Sequence, residues 1–201
     1  MNIENELLAW SQTVYGVAHS LNIANSIKLG NLTTIVDSLV EAEKWNPSDV
    51  GFTSSIESRG FKDGSIDLAG EEYEEIFSRL SENIVKILLI NLVVLADECL
   101  GYLISNIGND PPNYLGDKVK WAKKRIAKEY EWAANGLLEL YAIRNAIVHN
   151  GGTINQKVVE DLAEAGVNDA KDGHEISLSF GDLFRYRRAL RTMIGEIQKI
   201  K

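Results

Sequence analysis

A chain of 201 residues, 45% apolar and 25% charged, is long enough to bury one sizeable core, and its balance excludes a disordered or fibrous protein. Its single cysteine, Cys99, excludes an intramolecular disulfide, and three histidines (His19, His149, His174) are too few for a cysteine and histidine zinc pattern. The formal charge of −8 is uneven: residues 1–116 carry 6 basic and 17 acidic side chains, residues 117–201 carry 15 and 12, so a polyanion is expected to meet only the C-terminal half.

Residues 1–20 lack the basic start and unbroken apolar core of a secretory signal, and with one cysteine a reducing cytoplasm is the expected location. Apolar residues at helical spacing predict N-terminal helices over residues 1–45, with a break near Gly30. The stretch 46–70 has four glycines, many serines and no helical period, and reads as a long loop or hairpin insertion. From Glu71 a long helix is expected to about Ile107, because Glu71, Glu72, Glu74 and Glu75 crowd its first turns, where the positive helix end favours them. Its run "ILLINLVVLA" is too short to span a bilayer and suits a buried helix, so no membrane is expected.

After "GNDPPNYLG" a basic helix, "DKVKWAKKRIAK", is predicted, with Lys120, Lys123, Lys124 and Arg125 as a candidate cluster for a polyanion. Arg185, Arg187, Arg188 and Arg191 form another basic group on the closing helix. Between them lies "EYEWAANGLLELYAIRNAIVH", followed by "NGG", residues that tolerate a left-handed helix cap. A short polar helix or loop (156–165), a strand-like "EISLSF" and a final helix complete the chain, the last opened by Ser179 and Asp182 at capping-box spacing. One domain, 1–201, of all-α class is expected: an antiparallel helical bundle with a minor β element.

On a helical wheel of about 100° per residue, Ala133, Leu137, Leu140, Ile143, Ile147 and Val148 form one apolar arc, and Arg144 lies inside it. A guanidinium on a buried face needs an acceptor. On the long helix, Glu98 and Tyr102 share a mixed face with Asn91, whereas Asp97 points elsewhere, so Glu98 is the expected carboxylate for Arg144. His149 stands five residues after Arg144, about 140° away on an ideal helix, so the two meet only if the arginine wraps or the last turn unwinds at "NGG".

The segment Arg144, Asn145, Ala146, Ile147, Val148, His149, set between a long acid-bearing apolar helix ("LADECLGYL") and a closing helix, resembles the motif of the HEPN superfamily (higher-eukaryote and prokaryote nucleotide-binding domains). The resemblance covers about residues 70–200. It implies a two-fold dimer in which the arginines and histidines of both subunits share a cleft, and a metal-independent endoribonuclease of toxin–antitoxin or anti-phage type. Arg144 would then clamp the phosphate, His149 would act as general acid and base, Asn145 would orient the phosphate or the imidazole, and Glu98 and Tyr102 would support them. RNA, a second copy of the chain and an antitoxin protein are the implied partners, with no metal and no cofactor. The chain departs from relatives paired with a nucleotidyltransferase antitoxin: Gly151 stands where they often carry tyrosine. Two other readings stand beside this one: a non-catalytic dimer that binds nucleotide, RNA or a protein in the same cleft, and a structural protein in which Arg144 only ties two helices.

Overall fold

The computed structural model describes residues 2–26 and 71–200, which form six α-helices and one 3-10 turn. These are α1 (Ile3–Ser26), α2 (Glu71–Asn106), α3 (Leu115–Lys123), the turn Lys128–Tyr130, α4 (Glu131–Asn150), α5 (Gln156–Glu164) and α6 (Phe180–Ile197). The class is all-α. The helix expected over 31–45 and the loop or hairpin expected over 46–70 lie outside the described residues. Two compact units are distinguished, Met1–Tyr15 with Glu82–Lys201, and Gly16–Ser81. Among the described residues, the buried apolar side chains belong to the first unit.

α4 is the element the others pack on: α3, α5, α6 and the 3-10 turn all contact it. Ala133, Leu137, Leu140, Ala142 and Ala146 of α4 are fully buried. Against that core α6 presents Leu183, Tyr186, Leu190, Met193 and Ile197, buried at the three- and four-residue spacing of one helix face. In α2 the same spacing buries Leu89, Leu92, Ala96, Cys99, Leu100 and Ile104. By length and composition Ser81–Asn106 is long and apolar enough to cross a membrane, which the shorter run "ILLINLVVLA" is not; 56% of its most apolar window is buried in the protein, the pattern of a core helix. α1 adds Ile3, Leu7, Trp10 and Val14, and Tyr15 lies 4.6 Å from the Phe184 ring.

One polar cluster ties α4 to α6. Arg185 donates two hydrogen bonds of 2.7 Å to the two carboxylate oxygens of Glu139, and the Tyr186 hydroxyl donates a third, 2.8 Å, to Oε1. Burial, reinforced by the Glu139 charge, pushes the Tyr186 hydroxyl far above its ordinary range, so it stays protonated and donates. Arg185 is therefore engaged within the bundle, while Arg188 lies 5.8 Å from the centre of the Trp132 ring. At the start of α6 the expected capping box is formed, with Asp182 N–H donating to Ser179 Oγ and Ser179 N–H to Asp182 Oδ2.

The minor β element is smaller than expected: "EISLSF" does not form a strand, and among the described residues its first residue, Glu175, makes a single antiparallel bridge with Thr153. Ile154 N–H donates to the His174 carbonyl, Gly173 N–H to Ile154, and Ile176 N–H to Gly152. The ladder goes no further because Gly152 closes α4 on one side and Ser179 is already capping α6 on the other.

Two measurements test this packing. Glu139→Ala removes the shared acceptor and strands a buried hydroxyl, so urea denaturation is expected to lose about 2–3 kcal/mol, with Tyr186→Phe losing about 1 kcal/mol; unchanged midpoints would deny the tie any role. Cys99 is fully buried, and burial followed by the charges of Glu98 and Glu6 pushes its thiol up to about 11. A raised thiol value means less thiolate, so alkylation of the folded protein near pH 8 should run about a hundredfold below that of an ordinary thiol, recovering on denaturation.

Candidate functional site

The last two turns of α4 carry Arg144, Asn145 and His149. The helix stays regular through Asn150 and stops at Gly151, whose φ of 63° is left-handed and whose N–H returns to the Ala146 carbonyl. A Cβ at that φ is strained, which is why glycine stands there. The glycines therefore act after the histidine, as a cap, and leave the last turn wound. It is the arginine that wraps. Arg144 Nη1 donates to Asn145 Oδ1 at 3.1 Å and lies 3.3 Å from His149 Nε2. A guanidinium nitrogen only donates, so Nε2 is the acceptor, and the ring in this arrangement is neutral with its proton on Nδ1.

The wheel placed Arg144 on the buried face, but the guanidinium is carried outward by its stem and the residue is only half-buried. Val148, also assigned to the apolar arc, is 44% exposed. Solvent reaches the charge, so no carboxylate is required, and among the described residues none forms an ion pair with it. Glu98 is exposed and makes no ion pair among the described residues. The acid that is engaged on α2 is Asp97: its Oδ1 lies 2.7 Å from Lys118 Nζ, which also donates to the Asp97 carbonyl at 3.2 Å. Lys118 is buried at 6% exposure, and a buried ammonium is the group that demands a carboxylate here.

Arg144, Asn145 and His149 open on a cleft of about 620 Å³. α2 contributes Ile90, Val94, Asp97 and Glu98 to its wall. The approach to α3 contributes Asn113 and Tyr114, and α5 contributes Asn155, Lys157 and Asp161. Tyr141 of α4 lines it too, its ring pressed on Gly116, where a Cβ would stand 3.1 Å from the ring; this close approach seats α3 beside the cleft. Asn155 caps α5 by accepting from Val158 N–H at 3.0 Å, and Lys157 pairs with Asp161 at 2.8 Å.

The structure thus brings together Arg144, Asn145, His149 and Glu98 and leaves the other predicted site residues apart. Tyr102 is 40% exposed and lines a different concavity with Asn2, Ile3 and Gln198. Lys120, Lys123 and Lys124 line a third, and their charge is partly answered: Lys120 meets Glu164 at 2.8 Å, and Lys123 meets Glu131 and Asn135, each at 2.9 Å. Arg125 lies over the Trp121 ring at 4.0 Å and donates to the Trp121 carbonyl. Reading the lysines as one basic cluster overlooked the acids that α4 and α5 bring to them. Tyr114 and Asn155 were missed as cleft residues because they stand at helix caps with no periodic signal, and Tyr141 and Lys157 because helical spacing does not say which neighbour a side chain will face.

Among the described residues no group of three or more His, Cys, Asp or Glu is placed to hold a metal ion. No family model, no curated protein and no solved structure matches the chain.

The arginine and histidine contact makes a direct prediction for the imidazole. ¹⁵N NMR under conditions where the ring is neutral should find His149 protonated on Nδ1, and Arg144→Gln should shift the ring toward the other tautomer. A wild-type ring protonated on Nε2 would show that the contact does not form.

Proposed function

We propose that this chain is a metal-independent endoribonuclease of HEPN type, cleaving RNA by attack of a ribose 2′-hydroxyl on the adjacent phosphate. The observation that carries the proposal is the 3.3 Å approach of Arg144 Nη1 to His149 Nε2 at an open cleft. His149 accepts the 2′-hydroxyl proton as the oxygen bonds to phosphorus, Arg144 leaves its resting partners to hold the non-bridging oxygens, and the bond to the 5′-oxygen breaks as that oxygen takes a proton. A 2′,3′-cyclic phosphate and a 5′-hydroxyl result. Asn145, already bonded to Arg144, fixes the guanidinium.

In this reading the protein is a homodimer, and the partner's histidine supplies the proton to the leaving oxygen. Exposed apolar side chains at and near the cleft support a covered surface: Ile87 is 65% exposed, Val94 51% and Val148 44%. Cytoplasmic action as a toxin or anti-phage effector, held by an antitoxin protein, belongs to the same proposal. A second reading keeps the dimer and the cleft without cleavage, binding nucleotide, RNA or a protein partner. Glu98 on the cleft wall, exposed and without an ion pair among the described residues, favours the protein partner within this reading, because a carboxylate there opposes a polyanion.

Incubation with total RNA in EDTA separates the two. Wild type is expected to cleave, with Arg144→Ala and His149→Ala each losing about 10²–10⁴-fold and the products ending in cyclic phosphate. Equal absence of cleavage by wild type and the double variant would remove the nuclease reading and leave the binding one.

A further inference from the structure

Tyr114 is the residue that neither the core nor the proposed chemistry uses. Its ring is 65% exposed, and among the described residues its side chain takes part in no hydrogen bond, ring contact or cation contact. Its backbone, by contrast, is held: φ −112° and ψ 145° place it as the cap of α3, and its carbonyl accepts from Lys118 N–H at 3.0 Å. Pro111 and Pro112, just upstream, restrict the approach further. The neighbouring Asn113 is exposed, and its amide makes no hydrogen bond among the described residues, which leaves a donor and an acceptor for a ligand. Both residues line the cleft that contains Arg144 and His149.

A large aromatic face left in water on a fixed backbone, beside a free amide and a guanidinium, matches the chemistry of one unpaired nucleotide. Bases of single strands stack on aromatic rings and offer their edges to amides, while a base inside a duplex has both faces covered. A cleft of about 620 Å³ is within the size range of small-ligand sites. We infer that Tyr114 and Asn113 form a nucleobase subsite, with Tyr114 stacking an unpaired base, Asn113 reading its edge and Arg144 holding the attached phosphate, so that the substrate is single-stranded RNA. The inference rests on the assignment of phosphate to Arg144 in the proposed function.

The test uses the full chain and a 2′-O-methyl oligonucleotide, which lacks the attacking hydroxyl and reports binding alone. Fluorescence anisotropy is measured for the single strand and for the same strand annealed to its complement, beside cleavage of the matching unmodified RNA. The expected result is single-strand binding that Tyr114→Ala weakens about tenfold or more and Tyr114→Trp preserves, with the duplex at least tenfold weaker. Asn113→Ala is expected to narrow the differences among A, C, G and U homopolymers. Binding that depends on Tyr114 without cleavage by wild type keeps the subsite and removes the nuclease. Cleavage that needs Arg144 and His149 but is unchanged in Tyr114→Ala, or is equal on duplex, keeps the nuclease and overturns the subsite. Loss of the dimer on size exclusion in both Tyr114 variants would make this residue an interface contact and overturn the subsite as well.

Discussion

Burial of one face of α4 is the constraint on which the rest of the unit depends. Leu137, Leu140, Ala142 and Ala146 are fully enclosed, and α3, α5 and α6 are placed by what they bury against that helix. Each large aliphatic side chain taken out of water contributes about 1.5–3 kcal/mol. The last turn emerges from that packing, with Val148 and His149 exposed, and it presents Arg144 and His149 to the cleft.

Electrostatics in the bundle are settled locally rather than by the overall charge. The buried ammonium of Lys118 requires its partner Asp97, whereas Arg185 with Glu139 and Lys123 with Glu131 form pairs across helices at sites that water reaches. Charges that reach water do not need them, and Arg144 and Glu98 stand on one cleft without an ion pair between them. The distinction follows from dielectric. An ion pair gains little in water, while an unpaired ion in the core costs several kcal/mol. It also explains the division of labour on α2, where adjacent acids differ in role: Asp97 holds α3 in place, and Glu98 faces the cleft.

Sequence reasoning succeeded where the signal was local. The capping box of Ser179 and Asp182 and the left-handed Gly151 both act within a few residues of themselves, and each appears as expected. It failed where a partner had to be chosen across space. The wheel gives a direction for Cβ, but a long side chain departs from that direction, so Arg144 was placed on the buried face and given a carboxylate it does not have. The lysines of α3 likewise looked free because the acids that meet them sit on other helices, and "ISLSF" looked like a strand although its end is committed to capping α6.

By itself the sequence determined the all-α class, the caps at Ser179 and Gly151 and the spacing that sets Arg144 five residues before His149, since these depend on periodicity and on groups close along the chain. Only the tertiary structure decided that the arginine, and not an unwound turn, closes the gap to the histidine, that Asp97 pairs with Lys118, and that Tyr114 and Asn113 share the cleft. Those outcomes depend on how far a flexible side chain reaches and on where a loop without periodicity is carried by the helices it joins, and neither is encoded in spacing.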